Sequence, residues 1–165
     1  MNINNINDNI EFNNMIDDIL KNNKFMNMKY ERHHGISRME HSLNVARITF
    51  KLCKFFRVKN LAQITRAGLL HDFYLNNDVN GKALFNHPAV AAQNAKNIFN
   101  VNDLQYNIIY SHMFPFSKNM PKHMECLIVG LADKIAAVKE CTRYKFPSLI
   151  GASLIFILNV FIIQR

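Results

Sequence analysis

The sequence has few of the features that mark secreted or disulfide-bonded proteins. It contains only three cysteines, and no two of them form a C-x-x-C pair. Cys53, Cys126 and Cys141 each lie in an apolar helical pattern, so we expect buried, reduced thiols. The N-terminal stretch lacks the basic and apolar regions of a signal peptide. Together these absences favour a reducing, cytoplasmic location, with membrane association left open by the C-terminal residues described below.

Two further absences narrow the class of protein. No segment alternates apolar and polar residues as a half-buried strand does, and this predicts an all-α fold. The basic residues are scattered, with no basic run interleaved with aromatic residues, so no nucleic-acid partner is expected. The 165 residues, 49% of them hydrophobic and 19% charged, suffice for one globular domain with a sizeable core. The net charge of +8 favours an anionic partner of some kind.

Apolar periodicity predicts a helical domain over residues 9–146, preceded by an Asn-rich segment, residues 1–8, that we expect to be frayed. Ser37 and Glu40 have the spacing of a capping box at the start of a helix. Pro88 and Pro121 are each predicted to stand at the start of a helix, where proline is favoured. The predicted helices cover about 9–27, 38–56, 61–71, 87–99, 102–112 and 121–141, and a long loop over 73–86 is expected to cover the site.

The apolar C-terminal segment, residues 147–165, has three interpretations. Its run over 149–163 is shorter than the roughly 18–20 residues that span a bilayer, unless Phe146 and Pro147 are included. Asn159 within the run also weakens a membrane interpretation. We expect a buried terminal helix that packs on the core. Membrane insertion or surface anchoring, and a homodimer interface, are the alternatives.

An adjacent His71-Asp72 pair ends an apolar helix and predicts a metal site. A buried carboxylate is costly unless it is paired or bound to a metal, so Asp72 needs partners. His41 lies one turn into the preceding helix, and Asp133 lies within a later apolar helix beside small residues. These four residues together predict one metal site built from separate helices.

Two further histidines could hold a second metal. His87 begins a predicted helix and His112 ends one, and Asp72 would bridge the two ions. A single histidine in such a pattern is more often an ordinary core or surface residue, and an isolated Asp133 would more often pair with a cation. The complete ordered set is much harder to explain in that way. Oxygen and imidazole ligands suit iron, manganese, cobalt or nickel, with zinc as a further candidate.

This ordered set resembles the HD-domain metal-dependent phosphohydrolase superfamily. The matching text is EHSLNVA at residues 40–46, AGLLHD at residues 67–72 and LADK at residues 131–134. His87-Pro88 and Ser111-His112-Met113 resemble the branch with two extra histidines, which includes bacterial symmetrical dinucleoside-tetraphosphate hydrolases. The resemblance covers about residues 38–140, most of the chain.

The resemblance implies a compact multi-helix bundle and a hydrolase with two divalent ions, iron or manganese favoured. Its substrate would be a phosphoester or phosphoanhydride of a nucleotide or another small phosphate compound, attacked by a metal-activated water. Asp72 would be catalytic as the bridging ligand. Lys134 would be a phosphate clamp or a solvated helix lysine, and Arg38 would either bind phosphate or anchor a carboxylate. Lys118, Lys122 and His123 are more often solvated residues, but a lid that carries them would suit a polyphosphate. The alternative is a non-catalytic, regulatory domain that binds metal and nucleotide, with membrane association also open.

Overall fold

A computed structural model describes residues 3–33, 35–79 and 83–143 of the chain. The described residues contain seven α-helices, which confirms the all-α prediction. They are α1 (Ile3–Leu20), α2 (Asn23–Asn27), α3 (Arg38–Phe55), α4 (Leu61–Leu70), α5 (Ala83–Phe99), α6 (Asp103–Ser111) and α7 (residues 125–143). Short 3-10 helices cover Met28–Tyr30 and Asn76–Asp78.

One buried core is shared by these helices. Phe12 and Ile16 of α1, Ile64 of α4, Ile108 of α6 and Val129 of α7 are each at most 2% exposed. Large apolar side chains buried to this degree supply the main stabilising term of a small helical domain. The core therefore fixes the relative positions of the helices that carry the predicted ligands.

Helices α3 and α4 pack closely against each other, and Gly68 permits their approach. A Cβ added at Gly68 would lie only 2.8 Å from Thr49 Oγ1 of α3. Real Cβ atoms do not approach that closely, so a larger residue would push the helices apart. The contact brings the C-terminal end of α4, with His71, beside the helix that carries His41.

Side-chain caps stand at two helix starts, and the one at Ser37 confirms the predicted N-cap. The Glu40 backbone N–H donates to Ser37 Oγ over 3.1 Å at the start of α3. At the start of α6, the Gln105 N–H donates to Asn102 Oδ1 over 2.9 Å, and the Gln105 side chain accepts from the Asn102 N–H. Both caps satisfy backbone N–H groups that the start of a helix leaves without a partner.

The N-terminal part of the chain corrects three predictions. Residues 3–8, predicted to be frayed, belong to α1, and Lys54 of α3 pairs with Asp8 at 2.5 Å. The single helix predicted to residue 27 is broken, because Asn22 accepts from two N–H groups and starts α2. The strand-free prediction misses a two-residue antiparallel pair, β1 (Arg32–His33) and β2 (Ile36–Ser37). Gly35 turns between them with a φ of 96°, which favours glycine.

Two proline-based helix starts are also wrong. Helix α5 begins at Ala83, and Pro88 lies inside it, where the missing N–H costs one intrahelical hydrogen bond. Helix α7 begins at residue 125 and not at Pro121. The Lys122 N–H donates instead to the Asn107 side chain over 2.9 Å, which holds this residue outside the helix.

The remaining chain-level predictions concern the thiols and the membrane. Cys53 and Cys126 are buried, Cys141 is half-buried, and all three are free thiols. Within the described ranges, none of the helices combines the length and hydropathy needed to cross a bilayer. The predictions for residues 147–165 fall outside the described part of the chain.

Candidate metal centre

Five helices or helix ends bring the six predicted ligands to one place. His41 comes from α3, His71 and Asp72 follow the last turn of α4, and His87 comes from α5. His112 follows α6, and Asp133 comes from α7. The four histidines and Asp72 are each at most 7% exposed, and the Asp133 side chain is 17% exposed. The residues that define the set are His41, His71, Asp72, His87, His112 and Asp133.

One half of the centre joins α3, α4 and α7. His41 Nε2 lies 3.1 Å from Asp133 Oδ1, and His71 Nε2 lies 3.8 Å from the same oxygen. His71 Nε2 is also 3.6 Å from Asp72 Oδ2. The Nε2 atoms of His41 and His71 therefore both lie near Asp133 Oδ1, and His71 Nε2 also lies near Asp72.

The other half joins α4, α5 and α6 around the second oxygen of Asp72. Asp72 Oδ1 lies 3.3 Å from His87 Nε2 and 3.6 Å from His112 Nε2. The two histidine Nε2 atoms are 3.2 Å apart. Since Oδ2 of Asp72 faces His71 while Oδ1 faces His87 and His112, this one carboxylate belongs to both halves.

The outer nitrogens of three histidines are held by hydrogen bonds. His71 Nδ1 donates to the Gly68 carbonyl over 2.9 Å, and His112 Nδ1 donates to the Ile109 carbonyl over 2.8 Å. His41 Nδ1 donates to Glu140 Oε2 over 2.8 Å. An acceptor at Nδ1 fixes the tautomer and leaves Nε2 as the metal-facing nitrogen, the arrangement usual for metal-ligating histidines.

Glu140 holds one of the predicted ligands, and this contact was not predicted from the sequence. Its Oε2 holds His41, and its Oε1 accepts from the Asn44 side chain over 2.8 Å. A signal for it was present, because Glu140 follows Asp133 by seven residues and so lies two turns on along one face of α7. A second carboxylate on that face of α7 could have been predicted as the hydrogen-bond partner of His41.

The electrostatics favour the metal-binding forms of most of these groups. Burial raises the pKa of Asp133, but the hydrogen bond from His41 and the nearby imidazoles of His71 and His112 together outweigh burial and lower the pKa to about 2. Burial likewise opposes ionisation of Asp72, but the imidazole of His71 and those of its other neighbours hold its pKa well below the ordinary value. Burial, reinforced by His71, lowers the pKa of His112 to about 4. The carboxylates are therefore ionised and His112 is neutral near pH 7.

His41 behaves in the opposite way. Burial lowers its pKa, but hydrogen bonds to Asp133 and Glu140 outweigh burial and raise the pKa to about 10. A positive charge is thus strongly favoured between these two carboxylates. A divalent cation would supply that charge in place of the proton.

The geometry fits divalent metal ions. Asp72 Oδ1 is buried between two imidazole nitrogens at 3.3 and 3.6 Å, and a buried carboxylate is costly unless it is paired or bound to a cation. Ligand atoms of His41, His71 and Asp133 lie within 4.8 Å of one another, and so do those of His71, Asp72 and His112. Nitrogen and oxygen ligands sit about 2.0–2.2 Å from an ion such as zinc, so atoms sharing one ion lie roughly 3–4 Å apart. The distances of 3.1–3.8 Å between the imidazole nitrogens and the carboxylate oxygens match this range.

Comparison with known families agrees with this geometry. Residues 38–138, more than half of the chain, match the HD domain family. The chain belongs to the HD domain family. HD domains bind divalent metals and are generally metal-dependent phosphohydrolases. No curated protein and no solved structure matches the chain.

Arg38, predicted either to bind phosphate or to anchor a carboxylate, is buried in this HD domain with its Nη1 3.9 Å from Glu31 Oε2. It is 4% exposed, and its guanidinium donates to the Tyr74 carbonyl over 2.8 Å and to Asn76 Oδ1 over 3.0 Å. The guanidinium also lies 3.9 Å from the centre of the Tyr74 ring, whose other neighbour is the His87 ring at 5.4 Å. Arg38 therefore holds the loop after Asp72 by hydrogen bonds, and its contact with the Tyr74 ring positions that ring beside His87.

The other predicted cations of the HD domain separate into two groups. Lys134 Nζ donates to the Gly130 carbonyl over 3.1 Å and lines a cavity of about 270 Å³ to which His112 also contributes. Lys118, Lys122 and His123 are exposed and line a different cavity, whose walls include none of the six ligands. Lys134 is thus the cation whose surroundings adjoin the metal centre.

Proposed function

We propose that this HD domain is a metal-dependent phosphohydrolase that cleaves a phosphoester or phosphoanhydride of a nucleotide or another small phosphorylated compound. The observation that carries the proposal is the shared carboxylate of Asp72, which faces His71 with one oxygen and His87 and His112 with the other. A carboxylate in that position suits two neighbouring ions, and two-metal sites are a common device for phosphoryl hydrolysis.

The residues divide into two ligand groups. His41, His71 and Asp133 would hold one ion, and His87 and His112 the other, with Asp72 between them. When bound, divalent metals make a water nucleophile available near neutral pH and withdraw charge from phosphoryl oxygens. Imidazole and carboxylate ligands suit iron or manganese, which we favour, and also cobalt, nickel or zinc.

The chain's own residues supply orientation and charge around the reaction. Glu140 and the Gly68 and Ile109 carbonyls hold the imidazole rings in position, so the centre is formed before substrate binds. Lys134, one residue after Asp133, would neutralise a phosphoryl oxygen. The net charge of +8 would attract a phosphorylated substrate over longer distances.

A metal-loaded hydrolysis screen tests the proposal. The full chain, supplied with manganese or iron, should release phosphate or a nucleotide from at least one member of a panel of nucleotides and sugar phosphates. His71→Ala and Asp72→Ala should each abolish that release, because both remove a ligand. Asp17→Ala is the matched control for Asp72→Ala, since Asp17 is exposed on α1 and lies outside the ligand set.

Two outcomes would contradict the proposal. Activity that survives both ligand substitutions would show that the centre is not where hydrolysis occurs. Tight binding of metal and nucleotide with no turnover across the panel would favour the non-catalytic, regulatory domain instead.

A further inference from the structure

An apolar cavity adjoins the metal centre at its α6–α7 side. It has a volume of about 270 Å³, and His112 and Lys134 are the two ionisable groups among its described walls other than the thiol of Cys126. The walls are otherwise formed largely by Phe114, Pro115, Leu127 and Leu131. A space beside a metal ligand that is bounded mainly by hydrocarbon is poorly suited to a chain of charged phosphates.

Close packing of α7 on the end of α6 builds this cavity. Gly130 makes the packing possible, since a Cβ there would lie 3.2 Å from the His112 carbonyl oxygen. The same approach sets Lys134, one turn after Gly130, at the cavity wall with its Nζ hydrogen-bonded to the Gly130 carbonyl. Lys134 therefore places one cation at the wall of this cavity.

The apolar side chains at this cavity are unusually accessible. Leu127 is 46% exposed and Leu131 is 48% exposed, although both occupy positions on a helix that also supplies core residues. Phe116 is not one of the wall residues, but its ring lies 5.8 Å from Lys134 Nζ and it is 68% exposed. Apolar side chains grouped at a concave surface beside polar groups are typical of ligand sites.

From this geometry we infer that the cavity receives the organic group of the substrate while the phosphoryl group lies at the metal centre. The inference rests on the proposed function and names its substrate class: phosphate compounds with one apolar or aromatic group, preferred over inorganic polyphosphates. The size agrees, since an apolar cavity of about 150 Å³ already holds benzene in another protein. The cavity thus has room for one ring system with its substituents.

A pair of non-hydrolysable probes tests the inference by binding alone. Phenylphosphonate and methylphosphonate carry the same phosphoryl anion and differ in the organic group. Titration calorimetry of the manganese-loaded full chain should show phenylphosphonate binding about tenfold more tightly, which is within the range for filling an apolar pocket. Equal affinities for the two probes would overturn the inference.

Two substitutions on α7 locate the effect. Leu131→Asn should remove most of the preference for phenylphosphonate and leave methylphosphonate binding unchanged, and Leu131→Met should retain the preference. Val138→Asn is the matched control, because Val138 is 64% exposed on the same helix and is not a cavity residue. A preference that persists in Leu131→Asn, or that Val138→Asn removes equally, would refute the cavity as the site.

The outcome is separable from that of the proposed function. A clear phenylphosphonate preference in a chain that hydrolyses nothing would leave the inference standing and refute the enzyme assignment. Hydrolysis of phenyl phosphate and tripolyphosphate with the same kcat/KM would support the enzyme assignment and refute the inference.

Discussion

Replacing Glu140 by glutamine should weaken metal binding although Glu140 is not itself a predicted ligand. The Glu140 carboxylate accepts from His41 Nδ1 and from the Asn44 amide, each over 2.8 Å. Glutamine has nearly the same shape but carries no charge. Its amide must either offer a neutral oxygen to His41 or present an N–H group to a nitrogen that is already a donor. In the second case His41 changes tautomer, and its Nε2 lone pair is no longer available to an ion.

The expected size follows from these two hydrogen bonds. Substituting a group that orients a metal ligand typically costs 10–100-fold in metal affinity or activity. That range corresponds to about 1.4–2.7 kcal/mol of binding free energy. Because Glu140 makes a charge-assisted bond to a fully buried imidazole, we expect a loss near the upper end of this range.

Calorimetric titration of the metal-free protein with manganese measures this effect directly. Glu40→Gln is the control for the same chemical change, because Glu40 is exposed in the first turn of α3 and should bind manganese as the unsubstituted chain does. Asn44→Ala should move the affinity in the same direction as Glu140→Gln but by less, since it leaves the charge in place. Manganese affinity in Glu140→Gln equal to that of the Glu40→Gln control would refute the reasoning.

Three further outcomes are expected. Tyr74→Leu should lower the metal content measured after gel filtration, because the Tyr74 ring lies between Arg38 and His87. Tyr74→Phe keeps the ring and should preserve the metal content. An equal loss of metal in both variants would contradict a packing role for the ring. Gly68→Ala should lower the free energy of unfolding by about 1–3 kcal/mol, because the added Cβ would lie 2.8 Å from Thr49 Oγ1. In denaturant titrations, the double variant with Thr49→Ala should recover part of this loss. If the losses of the two single variants simply add in the double variant, the clash is refuted. Removing metal with a chelator should lower the Tm, since metal at a hundredfold excess over its Kd stabilises by about 2.7 kcal/mol, and an unchanged Tm would mean that no ion binds the folded chain.

The burial of His71 and His112 at helix ends was predictable, because local sequence marks both residues. His71 and His112 each follow the last turn of an apolar helix, and each donates Nδ1 to a carbonyl three residues earlier. That geometry depends only on the helix to which each histidine is attached. The burial of these polar groups followed from the apolar residues that precede them, so a need for partners was visible before their positions were known.

The supporting residues were not predictable in the same way. His41 and Glu140 are 99 residues apart, and Arg38 reaches the Tyr74 carbonyl across 36 residues. Such pairings depend on how the helices pack and not on local periodicity. The start of α7 was misplaced for the same reason, since a hydrogen bond from the Lys122 N–H to a side chain of α6 overrides the local preference of Pro121.

The directions of the helices explain why phosphate binding should depend on prior metal binding. His71 and His112 are the C-terminal caps of α4 and α6, so both helices point their partially negative ends at the centre. Asp72 and Asp133 add two ionised carboxylates to that negative potential, and the protonated His41, whose pKa is raised to about 10, offsets only one of them. Without cations this arrangement repels a phosphoryl anion, whatever the positive charge of the rest of the surface. Two divalent ions would make the electrostatic potential at the centre positive. The carboxylates that repel a phosphoryl anion in the metal-free protein would then hold the ions that bind it.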